Sequence, residues 1–311
     1  MALHLAVTRG VLQAFPDADL LFGKPMPVEG AGAALNDGDP AWDRVCWLID
    51  TEQRLAEYGG LARQFRRTLR IAFEVDVGLH RGGFADAGGL RKALGSLAEW
   101  PELRCDGIMA YEAHAPHIPG LFGGRGEALK QAQEALAAFA GCLGPGQRTI
   151  VNVGGSKTAL LYGGETVANE TSIGSAFVLP SDFDTAGLDG FLPAAFIVTP
   201  VLKVVEPRLP GPLFVTKALQ ALGRFPRHGC FLYGGKWMAE PVFPEGMAEN
   251  ALFGLSSNQQ FMGLPAGTQV RPGDHVFLRP TQSEAILQQF GSIKGFSGGR
   301  IVDDWPALPT G

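Results

Sequence analysis

Short apolar runs alternate with longer helical patterns from residue 3 to residue 179, and this alternation limits the fold more than any other property of the chain. Runs at 3–7, 19–22, 45–49, 70–77, 103–111, 149–153 and 171–179 are apolar and often β-branched, as strands buried on both faces are. Between them, Thr51–Arg67, Asp86–Trp100 and Arg125–Leu143 carry apolar residues at three- and four-residue steps and predict helices. Thr51 or Asp50 can cap the first. Repeated βα units predict a parallel sheet. The runs make seven strands, and the chain starts almost inside the first. The expected fold class is therefore α/β, a (β/α)8-type barrel missing its first unit.

After about Asp184 helical periods fade and Pro-Gly and Gly-Gly turns multiply. Strand-like runs at 195–205, 230–233, 275–278 and 286–290 predict a mainly β C-terminal domain. The expected division is 1–188 and 189–311. Glycine is 43 of 311 residues, about 14%, against a usual value near 7%. With no three-residue period, that excess belongs to tight turns and close backbone approaches.

Charge and cysteine content exclude several classes of partner. The net charge is −5, the pI is near 5.7, and there is no basic run, so nucleic acid is not expected. No apolar stretch reaches the ~18 residues of a membrane span, and Pro193–Leu202 contains two prolines. The N-terminus has no basic region ahead of an apolar one, so no signal peptide is read. Cys46, Cys105, Cys142 and Cys230 lie far apart, as reduced thiols of a cytoplasmic protein do.

Sites in parallel barrels form at the C-terminal ends of strands. There the sequence places Asp76 to Gly83 with Arg81 between glycines, then Glu112, His114 and His117, then Gly154-Gly155-Ser156-Lys157-Thr158, then Ser172, Gly174 and Ser175. Gly154-Gly155-Ser156 can offer N–H groups and a hydroxyl to a phosphate, or simply turn the chain from strand to helix. Arg81 suits an anion or ligand oxygen, or is an ordinary loop arginine. Asp76, His114 and His117 could form a metal-dependent hydrolase centre, although the loop lacks the helical spacing that aims two rings at one ion.

Taken together, these motifs resemble fold-type III pyridoxal-phosphate enzymes. Asp76-Val-Gly78-Leu-His-Arg81-Gly-Gly83 is similar to an Asp-x-Gly-x-x-Arg-x-Gly signature, and Gly107 to His114 resembles the next strand of that barrel. Val151 to Ser156 and Glu170 to Ser175 resemble its phosphate-binding strands. Gly234-Gly235-Lys236 and Gly273 to Glu284 resemble the D-threonine aldolase and D-serine dehydratase-like group, so the likeness covers nearly the whole chain.

The resemblance implies pyridoxal 5'-phosphate as cofactor. Arg81 would face its phenolic oxygen, and Tyr111 would lie beside the ring. Asn152 belongs to the phosphate-binding strands, and Gly154, Gly155, Ser156, Gly174 and Ser175 would hold the phosphate. Ser172 would stand near the ring nitrogen. The family's cofactor-carrying lysine falls upstream of Met1, so the catalytic residues are unknown; Lys24 and Lys157 are the lysines near strand ends. Gln282 and Glu284 stand where the group has a His-x-Cys or His-x-Asp metal pair. They would bind substrate, or Glu284 would hold Mg²⁺ or Mn²⁺ weakly, rather than zinc. The implied activity is an amino-acid lyase acting on D-amino or β-hydroxy amino acids, in a homodimer. A racemase of the same fold and a non-catalytic cofactor-binding protein are the alternatives.

Overall fold

The structure, a computed structural model, describes residues 1–308. They divide into two units, Met1–Gly174 with the chain from Pro306 on, and Ser175–Trp305. The first begins with helix α1 (Leu5–Ala14), followed by β1 (Leu20–Leu21), α2 (Val28–Leu35), β2 (Val45–Ile49) and α3 (Glu52–Phe65). Next come β3 (Leu69–Val75), α4 (Ala87–Ser96), β4 (Leu103–Ala110), α5 (Gly124–Ala140), β5 (Ile150–Val153) and β6 (Glu170–Thr171). The strands pair in sequence order, all parallel, as a curled half-barrel. The α/β class with an incomplete barrel and a mainly β second part is what the structure has.

Buried apolar runs account for these strands. Every residue of β2 is buried, and β3 is buried except at Arg70. Around Trp47 the rings of Phe22, Trp42 and Tyr58 pack at centroid distances of 5.0–5.8 Å, which places the aromatic part of the core beneath α1 and α3. The Thr51 hydroxyl accepts the Arg54 N–H (3.1 Å), so Thr51 rather than Asp50 caps α3.

In this unit two expected strands are corrected. Residues 3–7 are not a strand: Ala2 makes a single parallel bridge to Phe22, and Leu5 onward is α1. Thr8 and Leu12, one helical turn apart, are its buried face, and the Thr8 hydroxyl donates to the His4 carbonyl. The run at 171–179 stays in the ladder only at its start: Thr171 pairs with Val153 and the Ser172 N–H donates to the Val153 carbonyl (2.8 Å), after which Ser175–Phe177 form a 3₁₀ turn.

In the second unit, antiparallel pairings join β10 (Ala248–Glu249), β11 (Phe261–Leu264), β8 (His228–Leu232), β7 (Ile197–Val205), β12 (His275–Pro280) and β9 (Ala239–Phe243), in that spatial order. Helix α6 (Leu213–Ala221) connects β7 to β8, and β13 (Ser292–Ser297) pairs with β14 (Arg300–Pro306). The expected strand at 286–290 is instead the end of helix α7 (Ser283–Leu287), which buries Ile286. The division falls at 174/175, and within the second unit Arg279 of β12 binds the Leu179 carbonyl and the Asp184 carboxylate. Residues 309–311 of the expected second domain lie outside the described residues.

No helix among the described residues is long and apolar enough to cross a membrane. The four cysteines are unpaired. Burial pushes the Cys105 thiol up to about 12 and that of Cys230 up to about 11, so both stay protonated and unreactive near neutrality.

Candidate functional site

At the C-terminal end of β3 the chain turns around the Asp76 carboxylate. It accepts the N–H groups of Gly78 and His80 (both 2.9 Å) and the His80 ring Nδ1 (2.8 Å). Phe84 closes the loop by donating to the Glu74 carbonyl. Gly83 passes so near that strand, at φ +88°, that a Cβ there would lie 2.7 Å from the same carbonyl. These contacts fix the loop that carries Arg81. Burial works against the Asp76 charge, but the two N–H donors and the His80 ring overcome it and hold the carboxyl below the usual range.

Asp76 therefore contributes stability that is fully present above its unfolded value near 3.8 and lost as the pH falls through its lower folded value. Asp76→Asn is expected to flatten the acid limb of the stability–pH curve below about pH 4. Urea midpoints measured between pH 3 and pH 7 check this, and an unchanged acid limb would contradict it.

The Arg81 guanidinium lies 4.9 Å from the centre of the Tyr111 ring and 4.0 Å from the Glu74 carboxylate. Burial raises the Glu74 carboxyl above the usual carboxylate range, and the Arg81 charge opposes that shift. Tyr111, just past β4, presses on the loop after β5. A Cβ at Gly155 would meet its ring at 2.6 Å.

Hydrogen-bond directions in that loop differ from those of a simple anion cradle. The Gly154 N–H donates to Glu112 Oε2 (3.3 Å), and the Gly155 N–H to the Thr158 hydroxyl (3.0 Å). Gly174 donates its N–H to Ser156 Oγ (3.2 Å), tying the end of β6 to the loop after β5. Gly154 and Gly155 thus provide close approach and a preformed turn, and the buried Ser156 and half-buried Lys157 follow them in the loop. Below them, Asn152 donates to Glu170 (3.0 Å) and accepts the Ser172 hydroxyl (3.0 Å). A carboxylate only accepts, so Glu170 fixes the Asn152 amide, and the amide in turn orients Ser172.

From the sequence Glu112 reads only as a strand-end residue. It is fully buried, its Oε1 has no hydrogen-bond partner, and burial together with Glu112 raises the Tyr162 phenol well above its ordinary value. The signal in the sequence was a carboxylate directly after a buried strand, next to Tyr111. His114 has a buried, unpartnered Nδ1, and His117 is exposed on a 3₁₀ turn. Among the described residues no group of three His, Cys, Asp or Glu could hold a metal, so the hydrolase centre of Asp76, His114 and His117 does not assemble.

The second unit holds the remaining expected residues. The Ser175 hydroxyl donates to Glu284 Oε1 (2.8 Å), and the Ser283 hydroxyl bonds Glu284 Oε2 (3.0 Å) and Ser175 (2.9 Å). Gln282 donates to Asp182 (2.6 Å) and precedes α7 without capping it through its side chain. Both Glu284 oxygens are thus engaged by hydroxyls, and no imidazole or thiolate joins them, so the donor set does not fit zinc. Purified protein is expected to contain well under one zinc per chain. Elemental analysis checks this; stoichiometric zinc lost in Glu284→Ala would contradict it.

A family model described as "Alanine racemase, N-terminal domain" matches residues 13–182. No curated protein matches the chain. Among solved structures, D-threonine aldolase from Filomicrobium marinum is similar at a TM-score of 0.72 and 15% identity, over 96% of this chain and 79% of that one. D-threo-3-hydroxyaspartate dehydratase from Delftia sp. HT23 is similar at 0.65 and 16%, over 97% and 82%. Alanine racemase from Clostridium difficile 630 is similar at 0.65 and 12%, over 92% and 73%. At these identities the likeness is one of fold.

Proposed function

The chain belongs to the alanine racemase N-terminal-domain family, and from that premise we propose that it binds pyridoxal 5'-phosphate at the strand ends of its half-barrel and acts as an amino-acid lyase. The observation that supports this reading is one continuous line of contacts across four strand ends. Arg81 stands over Tyr111, Tyr111 packs on Gly155, and Gly174 donates to Ser156 beside it.

The residues fit a flat, phosphate-bearing ring. Tyr111 and Arg81 offer a planar wall with a positive charge. Gly174 is exposed, and a Cβ there would meet nothing within 4 Å, so the rim is open where an anion would enter. When bound, pyridoxal phosphate supplies an electron sink for charge developing at an amino-acid α-carbon. In this reading Arg81 binds its phenolic oxygen, and the Ser156 hydroxyl and Lys157 meet its phosphate with Gly154, Gly155, Gly174 and Ser175 around it. Asn152 holds the Ser172 hydroxyl toward the ring nitrogen. Gln282 and Glu284 bind substrate, with Glu284 kept in place by Ser175 and Ser283. A homodimer in the cytoplasm is the accompanying expectation.

By their names, D-threonine aldolase and D-threo-3-hydroxyaspartate dehydratase act on β-hydroxy D-amino acids, and their likeness in fold supports that substrate class in this reading. A second reading, cofactor binding without turnover, is favoured by the lysines of the first unit. Lys92 and Lys130 are tied to Glu52 and Glu134 on the helices, Lys24 lines a groove beside α1, and Lys157, in the loop after β5, is given to the phosphate in this reading. A substrate screen with added cofactor separates the readings. Aldehyde or ammonia released from β-hydroxy D-amino acids supports the lyase. Change of optical rotation alone identifies a racemase, and cofactor binding with no product leaves the second reading.

A further inference from the structure

The segment from Glu206 to His228 is basic within an acidic chain. It carries Arg208, Lys217, Arg224 and Arg227 against the single carboxylate of Glu206, a net +3 where the whole chain is −5. The fold gathers most of this charge around one cleft of about 660 Å³ between the end of β7, helix α6 and the start of β8. Arg208, Lys217, Arg227 and His228 line it, with Glu206 as the only acid and Leu213 as an apolar wall. Among the described residues, Arg208, Lys217 and Arg227 take part in no ion pair.

The cleft is held in shape by hydrogen bonds that leave those cations uncommitted. The Gln220 amide donates both to the Pro207 carbonyl (3.4 Å) and to the Pro226 carbonyl (3.1 Å), clamping the two walls to α6. Thr216, almost fully buried, accepts the Leu209 N–H (3.1 Å) and pins the loop between. Three exposed cations on three different segments thus flank one volume whose single carboxylate is Glu206, with which none of them pairs. Such an arrangement repels itself, and a cleft with low-dielectric walls concentrates its field on whatever anion enters. The volume lies within the roughly 300–1,000 Å³ of small-molecule sites. Two guanidinium forks match phosphate oxygens bidentately, and the ammonium adds a point charge.

We propose that this cleft is a binding site for a small organic anion carrying two or more phosphate groups, distinct from the strand-end site of the first unit and independent of its assignment. Leu213 and Pro207 give the organic part an apolar surface, and the three cations hold the phosphates.

Calorimetric titration of the full chain with pyrophosphate at low salt tests the assignment. The expected result is saturable binding at one per chain, weakened tenfold or more by Arg208→Ala or Arg227→Ala and lost in the Arg208→Ala/Lys217→Ala/Arg227→Ala triple variant. Thermal melting of each variant verifies that it is folded, and Arg227→Lys should retain part of the affinity. Citrate binding as tightly as pyrophosphate would change the ligand class to carboxylates and overturn the phosphate assignment. A single-stranded oligonucleotide binding far more tightly than pyrophosphate would reassign the surface to a macromolecular polyanion. Pyrophosphate binding that survives the triple variant but falls in Ser156→Ala or Lys157→Ala would belong to the strand-end rim and overturn the proposal, as would no saturable binding.

Discussion

Asp106→Ala is expected to destabilise the parallel unit by about 3–5 kcal/mol, the range for removing one partner of a buried ion pair. Asp106 is 4% exposed and accepts Arg70 Nε at 2.6 Å and Arg104 Nε at 2.9 Å. Arg70 is itself largely covered and bridges to Asp19 at 2.7 Å, so it joins β3 to β4 and to the segment before β1. Burial disfavours its charge, and the hydrogen bonds it donates to Asp19 and Asp106 more than restore it. Without Asp106 the guanidinium keeps one carboxylate, the exposed Asp19, and the Arg44 carbonyl (3.3 Å). Against a total stability of roughly 5–15 kcal/mol, the loss is a large fraction.

Arg104→Ala supplies the contrast. Its side chain is 60% exposed, and surface pairs contribute roughly 0–1 kcal/mol. A paired Arg70→Met/Asp106→Leu variant is expected to recover much of the loss, because no buried charge then remains unpaired. Urea unfolding followed by tryptophan fluorescence, with Trp42 and Trp47 reporting on the core, measures all three. A loss below 1 kcal/mol in Asp106→Ala would contradict the account.

Arg81→Ala is expected to weaken pyridoxal 5'-phosphate binding roughly ten- to hundredfold, since a charge-assisted hydrogen bond contributes about 1.5–3 kcal/mol. Two effects add. The positive face over Tyr111 is lost, and Glu74, already raised by burial, loses the cation that opposes the shift. Arg81→Lys should restore only part of the affinity, because an ammonium has no planar fork. Equilibrium dialysis of the three proteins provides the comparison. Equal affinities would place Arg81 outside the site.

Much of this architecture was legible in the sequence. The run Val45–Ile49 reads as a strand and is β2 to the residue, because a fully buried strand needs no alternation. Thr51 reads as a cap because a hydroxyl before a helical period has one local use. The failures share a cause. Residues 3–7 and 286–290 are short apolar runs, which a helix and a strand bury equally well. Burial of Thr8 with Leu12, and of Ile286 on α7, settled the difference, and those contacts come from residues distant in the chain.

The site divides in the same way. Residue types at the strand ends were readable, since Arg81, Tyr111, Gly155 and Ser156 follow buried runs. Hydrogen-bond directions were not. That Gly154 donates to Glu112, or that Ser175 and Ser283 occupy both oxygens of Glu284, depends on which carboxylate the fold brings within reach. Arg279 likewise binds the Leu179 carbonyl a hundred residues before it, a pairing no local pattern announces.

The central claim is that the strand ends of the half-barrel form one cofactor site, and Gly155→Val probes it at its tightest contact. A side chain there must displace the Tyr111 ring, which stands 2.6 Å from where the Cβ would be. Dialysis of the wild-type chain against pyridoxal 5'-phosphate should retain one equivalent per chain. Gly155→Val, with a circular dichroism spectrum matching the wild type, should retain almost none. No saturable binding by the wild type, or undiminished binding by Gly155→Val, would contradict the account.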